Sequence, residues 1–280
     1  MPAIAVDSLS RQHPLVAVPD AHVVLTDVSR TFATSHGQRE VLRNVDIAIR
    51  AGEIIAIVGP SGCGKSTLLR ILGGIDRPSG GFVRVDGTAV ADTDARTAMA
   101  FQEPRLLAWR TLAQNVAIGL PRSARSAGRR VKTLLELVGL THAADQKPRE
   151  VSGGMAGRAS LARALARDPE VLLLDEPFGA LDALTRLRMQ DLLLDVHAAQ
   201  PTTVVLVTHD VEEALFLADR VVLLRPVGSD PSASSIARTI VIPGERPRDR
   251  ADKSFTELRA ELLQGLGVDT HHHHHSKEIR

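Results

Sequence analysis

GPSGCGKST, at residues 59–67, is the stretch of this 280-residue chain that decides its fold. The stretch follows an apolar run at residues 54–58 and precedes a helix-like run, KSTLLRILGGI, at residues 65–75. It matches the pattern G-x-x-x-x-G-K-[ST], in which backbone amides of a glycine-rich loop and of the following helix surround a phosphate group. A strand, a glycine-rich turn and a helix in this order therefore predict a nucleoside triphosphate site.

The residue types of this loop suit the predicted site. Lys65 supplies a point charge to the β- and γ-phosphates, and Ser66 supplies a hydroxyl to the coordination shell of Mg²⁺. Gly59, Gly62 and Gly64 permit positive φ and let backbone N–H groups approach a phosphate without a Cβ in the way. The predicted nucleotide-binding residues are Gly59, Pro60, Ser61, Gly62, Cys63, Gly64, Lys65, Ser66 and Thr67.

Cys63 is the single cysteine of the chain, so no internal disulfide can form, and a reducing compartment fits best. Because Lys65 and a helix N-terminus lie nearby, we expect a lowered thiol pKa and protection of the thiol from alkylation by bound ATP. A small filler residue with no role of its own is the alternative.

The composition excludes several other classes of protein. With 44% hydrophobic and 24% charged residues, the chain has enough apolar side chains for one large globular domain or a domain plus a smaller lobe. A formal net charge of +1 and 2% aromatic residues argue against nucleic acid as a partner. No run of about 18 apolar residues and no signal-peptide pattern is found, so we expect neither a membrane span nor export.

Periodicity predicts the fold class. Three apolar runs, at residues 54–58, 171–174 and 203–207, are typical of strands buried on both faces of a sheet. Helical patterns at residues 160–166 and 184–198 alternate with them, as in a mainly parallel α/β sheet.

The flanking segments have other patterns. Short β-branched runs at residues 23–28 and 41–49, separated by the polar stretch 33–40, predict an antiparallel β segment before the phosphate loop. The sequence from about residue 103 to 160 is helical in pattern and predicts an inserted helical lobe. A strand at 238–242 and an amphipathic helix at 255–266 follow the core.

Two acidic residues follow the second apolar run, in VLLLDEP. Ligands of α/β sheets lie at the carboxyl ends of the strands, which is where Asp175 and Glu176 are predicted to be. Asp175 is suited to hold Mg²⁺, and Glu176 is suited to orient or deprotonate an attacking water. The presence of the phosphate loop favours this interpretation over a plain strand end.

Two further segments carry polar groups that a nucleotide site can use. Ser152, Gly153 and Gly154 precede a helix-like run and offer a hydroxyl and backbone amides at a helix N-terminus, which predicts a second anion site. His209 follows the third apolar run, in LVTHD. Taken singly, each would more often be a turn or a surface residue.

In this order the motifs resemble those of the ATP-binding cassette family, over about residues 22–225. The matching residues are the phosphate loop, Gln102 in AFQEP, Ser152-Gly153-Gly154, Asp175 with Glu176, Asp182 at the end of GALD, and His209. The resemblance implies a P-loop, RecA-like α/β core with an antiparallel β subdomain and a helical lobe. It also implies a head-to-tail homodimer that encloses ATP between the phosphate loop of one copy and the Ser-Gly-Gly of the other.

The resemblance also implies site residues. These are Glu176, His209 and Gln102 for catalysis, Ser66, Asp175 and Gln102 for Mg²⁺, and Ser152, Gly153, Gly154, Asp182 and Phe32 for ATP. Phe32 is expected to stack on adenine, with a core aromatic as the alternative. Val151 and residues 155–157 depart from the usual signature, and Gly157 early in a helix costs about 1 kcal/mol relative to Ala, which predicts a looser ATP-bound dimer.

Finer similarity lies in FQEPRLLAW, GALDALTRLRMQDLL and VTHDVEEALFLADRVVLL. These look like ATPase subunits of bacterial importers for nitrate, taurine and aliphatic sulfonates, with the sulfonate branch favoured by the C-terminal segment. The resemblance implies a peripheral protein at the cytoplasmic face of the inner membrane, with two permease copies and an extracytoplasmic substrate-binding protein as partners. Leu106, Leu107 and Trp109 are candidates for the permease docking groove, with a core role as the alternative.

These patterns together set the predicted boundaries: a loose leader at 1–20, the ATPase domain at 21–225, a short C-terminal extension at 226–267 and a mobile tail at 268–280. The run His271 to His275 is interpreted as an expression tag or a native disordered tract rather than a metal site. Rival functions are the same role for taurine or nitrate, a soluble cassette protein outside transport, and a P-loop kinase or GTPase.

Overall fold

The computed structural model of the chain describes residues 21–35, 37–90, 92–121, 127–179 and 181–267. The predicted leader at 1–20 and the predicted tail at 268–280, with His271 to His275, lie outside the described residues.

The elements run in the following chain order. The strands are β1 (Ala21–Thr34), β2 (Gly37–Arg50), β3 (Ile54–Val58), β4 (Gly80–Val85), β5 (Thr88–Ala89), β6 (Thr97–Ala100), β7 (Val171–Asp175), β8 (Thr203–Thr208), β9 (Arg220–Leu224) and β10 (Ile236–Val241). The helices are α1 (Lys65–Leu72), α2 (Leu112–Ala117), α3 (Ala127–Leu137), α4 (Gly153–Leu165), α5 (Ala183–Ala199), α6 (Val211–Leu217) and α7 (Lys253–Gly265).

A six-stranded sheet in the order β10-β9-β3-β8-β7-β6 forms the core. Its neighbours from β9 to β6 pair in parallel, and β10 adds an antiparallel edge. Every residue of β3, β7 and β8 is buried, as the unbroken apolar runs predict. Along β3, Ile54 and Ala56 face one apolar core, whereas Ile55 and Ile57 face the other, because strand residues alternate in direction. The predicted mainly parallel α/β core is confirmed.

Strands β2, β1, β4 and β5 form a separate antiparallel sheet. The predicted antiparallel segment is therefore confirmed, but its extent differs from the prediction. Residues 33–40, expected to separate two strands, belong largely to the strands themselves, since Phe32 pairs with Arg39 and Thr34 with Gly37. The hairpin tip is exposed to solvent, so its polar composition reflects exposure and not a break in pairing.

Helical structure fills the insertion between β6 and β7. The described residues there, 101–121 and 127–170, contain no strand. They form α2, α3, two short 3₁₀ turns and α4, and α2 packs against α3 and α4. The predicted boundary at about residue 160 falls inside α4, which continues to Leu165 and packs on the core sheet.

The segment after residue 225 packs closely on the core. Strand β10 and helix α7 correspond to the strand and helix predicted there, displaced by one or two residues. Phe255 and Leu262 of α7 are buried in the core cluster. The Arg248 guanidinium donates hydrogen bonds to the carbonyl oxygens of Leu215 (3.0 Å) and Ala218 (2.8 Å), at the C-terminal end of α6. Those carbonyls have no partner within the helix, so the extension satisfies them.

Gly157→Ala is expected to stabilise the protein. A Cβ built on Gly157 meets no heavy atom within 4 Å, and Gly in a helix interior costs about 0.5–1 kcal/mol relative to Ala. We expect the free energy of unfolding to rise by about that amount, measured by urea denaturation.

Gly154→Ala, in the same helix, is the matched control. Its Cβ would lie 2.5 Å from Thr185 Cγ2, so this variant should be less stable than the parent chain. A Gly157→Ala protein that unfolds at a lower urea concentration than the parent would contradict the account of α4.

Candidate active site

The phosphate loop joins β3 to α1. Gly62 and Gly64 have φ of +80° and +102°, so both use the left-handed backbone that glycine permits. Gly59 does not use this freedom, since its φ is not positive. Glycine is needed at Gly59 for space, since a Cβ there would lie 2.5 Å from the Leu224 carbonyl oxygen and 2.7 Å from Cys63 Sγ.

Lys65 and Ser66 begin α1 directly after the loop. The buried Lys65 ammonium donates hydrogen bonds to the carbonyl oxygens of Gly59 (2.7 Å) and Pro60 (3.1 Å), so it lies under the loop. The Ser66 hydroxyl donates to Asp175 Oδ1 at 2.9 Å. This bond joins the phosphate-loop helix to the end of β7, 109 residues further along the chain.

The strand register brings the next group of predicted residues to the same edge. Asp175 pairs with Val207, so β7 and β8 end side by side, and the Glu176 amide donates to the Val207 carbonyl at 2.9 Å. Glu176 has a φ of +46°, an uncommon backbone for a non-glycine residue and one that clusters at functional sites. Its Oε2 lies 3.1 Å from His209 Nδ1, which follows β8.

Gln102 follows β6, the strand beside β7. A Cβ built on Gly179 would lie 3.4 Å from Gln102 Nε2 and 3.7 Å from Glu176 Oε2. The Gln102 amide and the Glu176 carboxylate therefore lie over the same glycine. The structure thus brings Gln102 into the predicted site.

An open cavity of about 470 Å³ lies over the phosphate loop. Its lining residues are Phe32, Thr34, Arg39, Val41, Ser61, Gly62, Gly64, Lys65, Ser66, Thr67 and Glu176. Phe32 is thus part of the cavity wall, which favours the predicted contact with a ligand over a purely core position.

Of the predicted ATP contacts outside the phosphate loop, Phe32 lines this cavity, whereas Ser152, Gly153, Gly154 and Asp182 do not. Ser152 caps α4 by accepting a hydrogen bond from Met155 N at 3.3 Å, and Asp182 caps α5 by accepting one from Thr185 N at 3.0 Å. Hydrogen bonds from the side chain and from the backbone amide of Thr185 hold the pKa of Asp182 below its usual range. Because Gly154 packs against Thr185, these two helix N-termini form a second polar surface of the chain.

Ser66 and Asp175 fit a magnesium ion. A hydroxyl and a carboxylate oxygen 2.9 Å apart are the hard oxygen donors that Mg²⁺ prefers. Burial raises the pKa of Asp175, and the hydrogen bond from Ser66 partly opposes this effect. A cation beside the carboxylate would favour its charged form.

Cys63 differs from its predicted chemistry. Its side chain is fully buried in the core cluster beneath the loop, and this burial raises the pKa of the thiol. The expected lowering is wrong because desolvation outweighs the attraction of the Lys65 charge. The arrangement is that of the alternative, a small filler residue.

Arg186 and Glu213 lie near the site although no pattern singled them out. Arg186 of α5 donates to the Leu181 carbonyl (3.2 Å) and to Asp210 Oδ2 (3.4 Å), so it joins the GALD loop to the residue after His209. Glu213 of α6 is buried, and within the described chain its Oε1 has no hydrogen-bond partner. Both residues fall in helices where a charge normally faces solvent, so only the tertiary structure shows their position.

A phosphate-binding loop that ends a buried parallel strand, with an acidic pair at the end of a neighbouring strand, defines the protein as a P-loop nucleoside triphosphatase by fold. Comparison with known proteins narrows this class. The sequence profile of ABC transporters matches residues 42–179. The aliphatic sulfonates import ATP-binding protein SsuB 2 of Paracoccus denitrificans is 47% identical over 248 residues, which are 89% of this chain and 93% of the relative. SsuB 1 of Streptomyces avermitilis is 45% identical over 264 residues, 94% and 95% of the two chains. This chain belongs to the ABC transporter family.

Solved structures agree with this assignment. The ATP-binding cassette MJ0796, in a dimeric post-hydrolysis state bound to ADP and Pi, matches with a TM-score of 0.69 at 31% sequence identity. The match covers 80% of this chain and 100% of the MJ0796 chain. CbiO1 from Clostridium perfringens, with a TM-score of 0.70, 23% identity and coverage of 87% and 95%, shows the same fold. In the described part of the chain, no helix has both the length and the hydropathy needed to cross a membrane.

Glu213 should make the stability of the protein depend on pH. Burial and the nearby carboxylates of Asp210 and Glu176 raise the pKa of Glu213 to about 8, against a bond from Thr208 and the charge of Arg186. Between pH 4.5 and about 8, the folded protein therefore keeps a proton on Glu213 that the unfolded chain releases. Raising the pH through this range lowers the free energy of unfolding. Glu213→Gln, which stays neutral, should gain stability over the parent by about 1.4 kcal/mol per pH unit between pH 5 and 8.

Urea unfolding at several pH values measures this difference. Glu212→Gln is the control, because it removes a carboxylate from the adjacent position of α6. Unlike Glu213, Glu212 is only half-buried and is paired with Arg259 at 2.8 Å. A stability gain of Glu213→Gln that does not change with pH would show that Glu213 is ionised in the folded protein.

Proposed function

We propose that this chain is the ATP-hydrolysing subunit of a bacterial importer for aliphatic sulfonates. The observation that supports ATP hydrolysis most directly is the position of Glu176, which lines the phosphate-loop cavity and lies 3.1 Å from His209. The import role and the sulfonate substrate rest on the relatives named above, which align over most of both chains.

The predicted site residues divide the chemistry of hydrolysis between them. Phe32 contacts the adenine, the amides of the loop bind the phosphates, and Lys65 offsets their negative charge. Ser66, Asp175 and Gln102 would hold Mg²⁺, which would offset the negative charge of the phosphates. Glu176 accepts the proton of the attacking water.

His209 has two roles in this proposal: it positions the Glu176 carboxylate and it contacts the γ-phosphate. Its Nδ1 atom, 3.1 Å from Glu176 Oε2, fixes the direction of the carboxylate. In the doubly protonated imidazolium form, the other ring nitrogen, Nε2, also carries a proton and donates a hydrogen bond to the γ-phosphate. The His209 side chain is 64% exposed, so a bound nucleotide can reach it.

A second copy of the chain completes each site. Ser152, Gly153 and Gly154 offer an anion-binding helix N-terminus, and Asp182 lies beside it, yet none of them lines the cavity of its own chain. In a head-to-tail dimer they face the nucleotide on the partner's phosphate loop. MJ0796, which this fold resembles, is dimeric with ADP and Pi bound.

Two permease copies dock on the helical lobe, at the segment that carries Trp109. The Trp109 side chain is 72% exposed, as a docking residue must be. The buried Asn115 side chain accepts from the Leu107 amide (2.7 Å), and Arg163 of α4 donates to the carbonyl oxygens of Pro104 and Arg105 (2.8 Å each). Because this segment is attached to α4, movement of Ser152 at the start of α4 carries it along.

The proposal places the protein at the cytoplasmic face of the inner membrane as a peripheral subunit, with an extracytoplasmic substrate-binding protein delivering the sulfonate. Residues 21–225 form the ATPase domain and 226–267 the extension, and the helical lobe begins at about residue 103 and ends within α4. Its attachment to the membrane is through the permease, since the net charge of +1 provides no general attraction to anionic lipid.

Glu176→Gln separates ATP binding from hydrolysis. The amide keeps the size of the side chain but cannot accept the proton of the water, so ATP affinity should stay within about twofold. Turnover should fall at least about a hundredfold, a loss of some 3 kcal/mol of transition-state stabilisation. Equilibrium binding and phosphate release measure the two effects. Turnover close to that of the parent would exclude Glu176 as the base.

Growth on single sulfur or nitrogen sources tests the substrate. A strain that lacks this gene should not grow on an alkanesulfonate as its only sulfur source, and the parent gene, but not its Glu176→Gln form, should restore growth. Normal growth on the alkanesulfonate, with loss of growth on taurine or nitrate, would instead assign one of those anions.

A further inference from the structure

The aromatic ring of Phe32 has a cation against one face. The guanidinium carbon of Arg30 lies 4.2 Å from the centre of the ring, within the range of a cation–π contact. Arg30 and Phe32 are two residues apart on β1, so their side chains leave the same face of the strand. Since Arg30 covers one face of the ring, a flat ligand in the cavity can stack only on the other face.

Arg30 is itself held by an acidic residue that follows the phosphate-loop helix. Its Nη2 donates to Asp76 Oδ1 at 2.7 Å and its Nε donates to Asp76 Oδ2 at 3.1 Å, a two-bond pairing of guanidinium and carboxylate. Both side chains are largely buried, with 23% and 22% of their surface exposed. The pairing is therefore better shielded from water than a typical surface ion pair.

These contacts form a continuous connection from the phosphate loop to the ring. Helix α1 begins at Lys65 and ends at Leu72, and the Asp76 amide donates to the Arg70 carbonyl at 3.2 Å, so Asp76 is tied to the last turn of α1. From Asp76 the connection passes through Arg30 to Phe32. It joins the antiparallel sheet, which carries the ring, to the helix that carries the phosphate-binding residues.

We propose that Arg30, held by Asp76, positions Phe32 as the platform for the adenine and sets the distance between that platform and the phosphate loop. The inference rests on the proposed function, because it takes ATP as the ligand of the cavity. Arg30 acts through Phe32 and does not touch the nucleotide. Its loss should weaken contacts with the base and leave contacts with the phosphates intact.

The chain offers a matched control. On β4 of the same sheet, Arg84 lies 4.5 Å from the centre of the Phe82 ring, again two residues apart on one strand. Phe82 does not line the nucleotide cavity. Arg84→Ala therefore removes a similar cation–π contact from the same sheet without touching the platform.

Comparison of ATP with inorganic tripolyphosphate, which has the phosphates but no base, tests the proposal on the full-length chain. Arg30→Ala should raise the Kd and KM for MgATP about tenfold, while kcat and the Kd for magnesium tripolyphosphate stay within about twofold of the parent. Asp76→Asn should shift the same two quantities in the same direction by less, and Arg30→Lys should recover part of the loss. Arg84→Ala should leave all of them unchanged.

Other outcomes would overturn the proposal. Equal weakening of ATP and tripolyphosphate binding would mean that Arg30 supports the whole cavity, and unchanged ATP binding would mean that it does not act on the base. Should Arg30→Ala fail to fold, Arg30→Lys and Asp76→Asn decide the matter by the same comparison. Failure of the proposed function is distinguishable, because the parent chain would then bind tripolyphosphate no more weakly than ATP or would not hydrolyse ATP.

Discussion

The parallel register of β3, β8 and β7 is the constraint on which the site depends. Val58 pairs with Thr208, and Val207 pairs with Asp175, so the three strands end at one edge of the sheet. The phosphate loop, the acidic pair and His209 follow these ends directly, although Ser66 and Asp175 are 109 residues apart in the sequence. A slip of one residue in β7 would turn Asp175 to the other face of the sheet and break its bond with Ser66.

The elements around this edge restrain the groups that hydrolysis uses. On one side the Arg30–Asp76 pair connects the ring of Phe32 to α1. On the other side Arg186 joins the GALD loop to Asp210, next to His209. Asp182, the last residue of GALD, caps α5, and its carbonyl accepts a hydrogen bond from the Arg186 amide at 2.9 Å. A partner chain that contacts Asp182 would therefore be connected through Arg186 to Asp210, the residue after His209.

Sequence patterns predicted the parts of the site that depend on local chemistry. The phosphate loop, the helix N-terminus at Ser152 and the buried strands β3, β7 and β8 all carry short-range signals of glycine spacing, capping residues or apolar runs. The four-residue β6 has no such signal, because Thr97 and its alanine neighbours are small residues that are common in any element. Its neighbours in the sheet, rather than its own sequence, make it a strand.

The features that sequence reasoning missed depend on burial or on distant partners. Cys63 has a lysine two residues away, but its pKa follows from the core beneath it, which local sequence does not report. Gly59 needs glycine because Leu224 of a neighbouring strand is close, not because of its own φ. Glu213 shows no unusual pattern along α6 and becomes a buried acid only when Asp210, Arg186 and β8 surround it.

The central claim is that each hydrolytic site combines the phosphate loop of one copy with Ser152 of another, and mixing two inactive variants tests it directly. Lys65→Ala removes the phosphate-binding charge, and Ser152→Asp keeps a capping oxygen on α4 while placing a negative charge where the phosphate would lie. Each variant alone should be inactive. An equal mixture should recover about a quarter of the parent turnover, because half of randomly formed dimers are mixed and each of those has one intact site. Full turnover by Ser152→Asp alone, or no recovery from a mixture whose chains demonstrably dimerise, would contradict the account.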